Sequence, residues 1–362
     1  MNLLDRMSEH DYEQVLFALD DPSGLKAIIA IHDTTLGPAM GGVRFKAYAT
    51  EEEALKDVLQ LSRAMTLKAS AAGLNLGGGQ AVILADSAAG KSEALLRAFG
   101  RQIQALSGRL FVAEDLGTTV EDMETIQQET EYVAGLRKSR GGSGEPSLKA
   151  AYGVIRGIGA CLLHVHGDPG LRGRVLAIQG VGAVGREIAR QASEEGARVI
   201  VADKDPRRID DLKKHFEVQV VSPDHILETE CDVFCPCALG GVLSETTVPR
   251  LRAKIVAGAA NNQLVDENAG KLLFERGIIY APDFVISAGG LINVAEELTG
   301  YDENLATLRV GKLYQRIEAI LKVSEERKIP THLAAAQMAL ERLELMRKVR
   351  RTYVPNASSL DR

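Results

Sequence analysis

The chain has 362 residues, 45% of them hydrophobic and 25% charged, with a formal net charge of -6 at pH 7. That length suits two domains with ample core, and the negative balance argues against nucleic acid as a partner, because phosphate neutralisation needs clustered surplus Lys and Arg. The one basic run, Arg347-Lys348-Val349-Arg350-Arg351, reads as a solvated helix end.

The N-terminal stretch MNLLDRMSEHDYEQ carries charge from Asp5 onward and has no apolar core, so it is not read as a signal peptide. No charge-free apolar run reaches the length of a membrane span. Four cysteines in a chain of this size suggest reduced thiols in a cytoplasmic protein. Three of them, Cys231, Cys235 and Cys237, sit in CDVFCPC, whose spacing is unlike the usual zinc patterns and reads as a buried strand with small apolar thiols. The seven histidines are scattered, so no metal site and no Ser-His pair is expected.

In chain order, LKAIIAIHD (25–33) reads as a buried strand. Thr50 followed by Glu53 gives a capping-box signature for a helix running to about Ala69, with Leu61, Ala64 and Lys68 on one face. AAGLNLGGGQAVI (71–83) then runs three glycines into Gln80 at the start of a strand, AVILAD (81–86). A helix over 92–106 and a strand RLFVAED (109–115) follow, and GGSGEPS (141–147) has the texture of a hinge or linker. After a helix at about 148–165, the runs RVLAIQG, ARVIVAD, VQVVS, DVFCPC, KIVAGAA and GIIYAPD alternate with helices or turns. Such runs lack polar alternation and suit a parallel sheet covered on both faces. The remainder reads as helical, including a segment that starts at Pro330-Thr331 and folds back onto the first domain.

GVGAVG supplies Gly180, Gly182 and Gly185, with Ala183 and Val184 between the last two. The motif is weak alone, but here it follows a strand and opens a helix. The next strand ends on Asp203, at the distance expected of a carboxylate that binds an adenosine ribose. Glycines at these places allow a tight turn and a pyrophosphate against the helix N-terminus. Asp203 would repel a 2′-phosphate, which favours NAD over NADP.

In the first domain, Lys68 is the only charged residue from Ala64 to Ala85. It reads either as a lysine snorkelling out of an apolar element or as one aimed at a substrate carboxylate. Arg44, in AMGGVRF, is either a further ligand or half of a structural ion pair. Asp115 closes its strand next to Glu114 and before Gly117-Thr118-Thr119, a place for a proton carrier or a helix cap. Asn261 and Asn262 follow the strand KIVAGAA and offer donors and acceptors to a nicotinamide or a carboxylate, or simply form the loop.

The motifs YEQVLF, AIIAIHDTTLGPAMGGVR, MTLKASAAGLNLGGG, AEDLGTT, GVGAVG, PCALGG, GAANNQL and YAPDFVISAGGLINVAEEL run nearly end to end. Together they resemble the glutamate/leucine/phenylalanine/valine amino-acid dehydrogenases. The resemblance implies an α/β chain of two domains: a substrate-binding and oligomerisation domain over 1–147 and a Rossmann-type, doubly wound NAD domain over 148–330. A C-terminal helix, 331–362, packs back on the first. It implies reversible oxidative deamination of an L-amino acid to the 2-oxo acid, ammonia and NADH, by a homo-oligomer. Carried over by position, Lys68 holds the substrate α-carboxylate and Asp115 takes part in proton transfer. Asn262 lies near that carboxylate and Asn261 near the nicotinamide. Met40, Gly41, Met65, Ala113, Ala134, Leu291 and Val294 fall on substrate-binding positions. AEDLGTT and Ala113 resemble the branched-chain members, and the phenylalanine-type enzymes stay close alternatives.

One position departs from the pattern. Members of the family carry a second lysine where this chain has Gln80, and that lysine is the low-pKa base that activates water against the imine left by hydride transfer. A glutamine cannot accept a proton near neutral pH, and general acid–base catalysis contributes about 10²–10⁴-fold. A strongly impaired dehydrogenase is therefore expected. Three origins stay open: a replacement made in a working enzyme, a homologue that binds NAD and amino acid without turnover, or altered chemistry that reduces an imine formed elsewhere.

Overall fold

The structure, a computed structural model, describes residues 3–85 and 90–349. These fall into two units. One holds the residues up to Gly144, Glu297–Tyr301 and those from Ala339 onward; the other holds Glu145–Glu296 and Asp302–Met338.

In the first unit the chain runs α1 (Leu3–Glu9), β1 (Gln14–Asp20), β2 (Leu25–Asp33), β3 (Ala39–Lys46), α2 (Glu51–Ala71), β4 (Gly77–Leu84), α3 (Glu93–Ala105), β5 (Leu110–Glu114) and α4 (Val120–Ile126). The sheet order is β1-β2-β4-β3-β5. β1 and β4 flank β2 antiparallel, while β3 runs parallel to both β4 and β5. β2 is apolar from Ala27 to Ile31 because both its faces are covered there. Ala27, Ile29 and Ile31 pack with Leu95, Phe99 and Ile103 of α3, whereas Ile28 and Ala30 pack with Ala54, Val58 and Leu59 of α2.

Two strands have no counterpart in the sequence reading. β3 carries Gly41 and Gly42, which weaken strand propensity, and forms because both neighbours pair with it. β1 is an edge strand whose Phe17 and Leu19 are exposed.

The glycine triplet also differs from expectation. Gly77, Gly78 and Gly79 lie inside β4 rather than ahead of it. A Cβ on Gly78 would stand 2.2 Å from the Thr66 nitrogen and 2.4 Å from the Ser62 carbonyl oxygen, and one on Gly77 would stand 2.0 Å from the Asp33 carbonyl oxygen. What presses on these glycines is the backbone of α2 and the end of β2.

His32 steadies that contact. Its Nε2 reaches the His10 carbonyl at 3.1 Å and its Nδ1 reaches Thr66 Oγ1 at 2.8 Å. A carbonyl can only accept, so Nε2 carries the proton and Nδ1 accepts from the Thr66 hydroxyl. Burial pushes the imidazole down from 6.5 to about 4, more than offsetting the opposing pull of Asp33. Above pH 6.5 both folded and unfolded chains hold this histidine neutral; between 6.5 and about 4 the unfolded chain binds a proton that the native one does not. Stability is therefore lost as pH falls through that window, by on the order of 3 kcal/mol for the group. Urea midpoints measured across the window are expected to fall in the native chain and to fall less steeply in His32→Gln.

Residues Glu297–Tyr301 belong to the first unit because the Glu297 carboxylate accepts the Gly135 N–H at 2.9 Å and the Ser143 N–H at 2.7 Å.

In the second unit come α5 (Ser147–His166), β6 (Val175–Gln179), α6 (Ala183–Glu194), β7 (Arg198–Ala202), α7 (Pro206–Lys213), β8 (Gln219–Val220), β9 (Cys231–Pro236), β10 (Ala253–Val256), α8 (Glu267–Glu275), β11 (Ile279–Tyr280), α9 (Asp283–Ile286), α10 (Gly289–Ala295), α11 (Glu303–Gly311) and α12 (Leu313–Arg327). The strands pair parallel in the order β11-β10-β9-β6-β7-β8. The first strand thus sits in the middle, between β9 and β7, the doubly wound arrangement of a dinucleotide-binding sheet. α5 has the length and hydropathy of a membrane span, yet it carries Lys149 and Arg156 and packs as a core helix against α6 and α12.

The last helix, α13 (Thr331–Arg347), divides between the units. Thr331 Oγ1 donates to the Tyr280 carbonyl in the second. From Ala339 onward the helix belongs to the first, where Ser70 Oγ donates to the Ala339 carbonyl at 2.9 Å. Arg342 donates to the carbonyls of Ser70 (3.0 Å) and Leu74 (2.8 Å), capping the C-terminal end of α2. The expected helix over 331–362 ends at Arg347, and its stretch 350–362 lies outside the described residues.

Candidate active site

Gln80 lies in β4 and is 2% exposed. Val82, two residues on, packs with Ala54 and Val58 of α2, so Gln80 points to the same side of the sheet. Its Oε1 accepts the Gly42 N–H at 2.9 Å and its Nε2 donates to Asp115 Oδ2 at 2.8 Å. A backbone N–H can only donate, so the amide has one possible orientation. Both polar ends are used.

Asp115 follows directly on β5. Its Oδ2 accepts a second charge-assisted bond from Arg44 Nε at 3.2 Å, while Oδ1 makes no hydrogen bond among the described residues. Its backbone N–H donates to Thr118 Oγ1 at 2.9 Å, and that hydroxyl donates to the Val43 carbonyl at 2.8 Å, fixing the turn after the strand. A Cβ on Gly42 would stand 2.5 Å from the Asp115 Cβ, so glycine is what admits the carboxylate here. Gly41 is needed just as firmly: its Cβ would stand 1.7 Å from the Gly79 carbonyl oxygen.

Arg44 is an ion-pair residue after all, and a shared one. Its Nη1 binds Asp57 Oδ2 of α2 at 2.9 Å, where the Tyr48 hydroxyl also donates at 2.6 Å. Burial pulls the guanidinium down, but Asp115 and Asp57 more than offset it and hold the charge. Burial and the bond to Asp57 keep the Tyr48 phenol protonated.

Of the other first-unit residues, Met40 and Gly41 pair with Phe111 and Val112 of β5, and Gly42 pairs with Ala113. Ala134 is fully buried beside them, its N–H donating to the Val112 carbonyl at 2.8 Å. Met65 and Lys68, three residues apart on one face of α2, are both half-buried. Leu291 and Val294 share a face of α10 in the second unit.

The second unit carries the loop Gly180–Gly185. Gly180 has φ +95°, and its N–H donates to the Ala202 carbonyl at 2.8 Å. A Cβ there would stand 2.8 Å from the Ala238 Cβ, and one on Gly185 would stand 2.0 Å from the Gly180 carbonyl oxygen. Gly182 is the N-cap of α6 and offers no side-chain cap, which leaves the amides of Ala183 and Val184 for an outside anion. Asp203 is pinned beside the loop by the N–H groups of Val181 and Asp205, both at 2.8 Å. Arg208 Nη1 stands 3.7 Å from the same carboxylate. Sequence reasoning did not single out Arg208; its only signal was the basic pair after Asp205-Pro206.

Asn261 and Asn262 are exposed beyond β10, Asn262 with φ +52°. The Asn262 carbonyl accepts the Gly241 N–H at 2.7 Å, and Ser287 Oγ donates to Asn261 Oδ1 at 3.3 Å. The buried Gln263 holds this loop, its Nε2 donating to the Gly258 and Ala260 carbonyls at 2.9 Å each. Nothing in the residue pattern marked Gln263 out from its neighbours. The four cysteines are free thiols, with Cys235 and Cys237 sulfurs 3.5 Å apart.

Comparison with known proteins adds identity to this geometry. A family profile described as Glu/Leu/Phe/Val dehydrogenase, dimerisation domain, matches residues 12–132, and one described as Glutamate/Leucine/Phenylalanine/Valine dehydrogenase matches 201–351. The leucine dehydrogenase of Geobacillus stearothermophilus is 51% identical over 356 residues, 98% of this chain and 97% of that protein. The phenylalanine dehydrogenase of Caldalkalibacillus thermarum is 43% identical over 357 residues, 97% of this chain and 96% of that protein. The crystal structure of L-tryptophan dehydrogenase from Nostoc punctiforme matches with a TM-score of 0.87 at 42% identity, covering 96% of this chain and 100% of that one.

Proposed function

The chain belongs to the glutamate/leucine/phenylalanine/valine dehydrogenase family, and from that premise we propose that it oxidatively deaminates a branched-chain L-amino acid with NAD, at a rate held far down by Gln80. The observation that carries this reading is the double commitment of the Gln80 amide to Gly42 and Asp115.

The residues present fit a dinucleotide. The cradle formed by Gly180 and Gly185 has no room for a Cβ at either place, and α6 presents an uncapped N-terminus. Asp203 would accept from the ribose hydroxyls and exclude a 2′-phosphate, and Asn261 would hold the carboxamide of the nicotinamide ring. Bound there, NAD supplies the hydride acceptor. In the first unit, Lys68 would bind the substrate α-carboxylate and Met40, Gly41, Met65, Ala113 and Ala134 would line the aliphatic side chain; in the second, Asn262, Leu291 and Val294 are proposed as substrate-binding residues. Asp115, through its open Oδ1, would take the proton from the substrate ammonium and then face the iminium. Gln80 can orient that carboxylate but cannot draw a proton from water.

The substrate choice rests on the higher identity to the leucine enzyme than to the phenylalanine enzyme and on the small side chains of Ala113 and Ala134. NADH formation at alkaline pH is expected to be faster with L-leucine and L-valine than with L-phenylalanine, in this chain and in Gln80→Lys alike. L-phenylalanine as the fastest substrate would overturn the choice. For the cofactor, Asp203→Ser is expected to lower kcat/KM for NAD by roughly tenfold, the effect of about 1.4 kcal/mol, and to raise it for NADP, with Arg208 there to meet the added phosphate. An unchanged NAD/NADP ratio would remove Asp203 from that role.

A homo-oligomer is expected. The first unit matches a profile described as a dimerisation domain, and its edge strand β1 leaves Phe17 and Leu19 exposed. Four free thiols suit the reducing cytoplasm.

A further inference from the structure

We propose that this site reduces a preformed cyclic aliphatic 2-imino acid with NADH, a reaction that involves neither water nor ammonia. The proposal deepens the reading above and rests on it.

Oxidative deamination joins two kinds of chemistry. One is hydride transfer between an amine and an iminium; the other is addition of water to that iminium and departure of ammonia. The second needs a group that takes a proton from water, and the side chain at position 80 has no capacity for it. Its oxygen is occupied by the Gly42 N–H and its nitrogen by Asp115, with 2% exposure. The first needs a fixed negative charge facing C=N, and that arrangement is intact. Two donors, Gln80 Nε2 and Arg44 Nε, converge on Asp115 Oδ2 at 2.8 and 3.2 Å and hold the carboxylate in place. Arg44 is anchored in turn by Asp57. Oδ1 accepts nothing from the described residues and is left to receive the N–H of a cationic imine.

The reacting form is the N-protonated imine, which brings its proton in from solution. Hydride from NADH adds to the iminium carbon, the C=N π pair moves to nitrogen, and the products are the cyclic amino acid and NAD. A ring is specified because it keeps carbonyl carbon and nitrogen tethered, so the imine persists in water without ammonia, whereas an open-chain imine hydrolyses.

The test measures NADH oxidation with Δ1-piperideine-2-carboxylate alone, and with 4-methyl-2-oxopentanoate plus ammonium, in this chain and in Gln80→Lys. Calorimetric titration of the imine into the dinucleotide-free chain and into Asp115→Asn gives a readout independent of turnover. The expected result is imine reduction by the native chain, against amination of the oxo acid about 10²-fold or more faster in Gln80→Lys. Imine binding should weaken clearly in Asp115→Asn. Amination by Gln80→Lys with no imine reduction by the native chain, or imine binding indifferent to Asp115→Asn, overturns this proposal and leaves the dehydrogenase reading standing. No turnover of either substrate by either protein overturns the reading itself.

Discussion

Gln80→Lys is expected to raise NADH formation from L-leucine by about 10²–10⁴-fold, the usual worth of a positioned general base. The geometry says where the new ammonium would act. Gln80 Nε2 already stands 2.8 Å from Asp115 Oδ2, so a lysine nitrogen in that space meets the same carboxylate. Burial and the Arg44 charge would lower the lysine pKa while Asp115 raises it, and the neutral amine is the form that works as a base. Activity of the variant should therefore climb with pH as the lysine loses its proton, a limb that the native chain lacks. The substitution also removes the acceptor of the Gly42 N–H. Leaving that donor unpaired costs about 1–3 kcal/mol, so the variant should be faster yet unfold at a lower temperature. Gain of rate with loss of stability is the signature of a functional residue restored at a place now built around an amide.

Asp115→Asn is expected to lose about 10²–10⁴-fold in the Gln80→Lys background. Asp115 is where three elements meet: β4 through Gln80, β3 through Arg44, and the turn held by Thr118. An asparagine can still offer one oxygen to Gln80 and Arg44, so folding should survive, which circular dichroism would check. What it cannot offer is a charge to an iminium or a place for a proton. The loss should appear in kcat with little change in NAD affinity, because the dinucleotide loop belongs to the second unit. Equal losses in kcat and in NAD binding would mean that Asp115 supports structure rather than chemistry.

How much of this was legible in the sequence follows from distance along the chain. The strand, the glycine loop, the helix and Asp203 were readable together because Val181 N–H bonds a carboxylate only twenty-two residues on, within one βαβ unit. The identity of position 80 was readable too, but its partners were not. Gly42 and Asp115 lie 38 and 35 residues away, and only the pairing of β3 with β4 and β5 brings them together. Arg44 was ambiguous for the same reason, since its two carboxylates come from α2 and from the end of β5. β3 itself was missed because the glycines that weaken its local propensity are the ones its neighbours require. The triplet at 77–79 was readable, but not what requires it: the end of β2 at Gly77, the backbone of α2 at Gly78 and the Leu110 side chain at Gly79.

This chain is expected to keep its hydride chemistry and to lack water activation. Rapid mixing of the native chain with NAD and L-leucine at alkaline pH tests it most directly, with NADH followed by absorbance. A fast burst of less than one NADH per site is expected, followed by a steady rate far below that of Gln80→Lys. A linear trace from the moment of mixing, running as fast as the variant's, would contradict it.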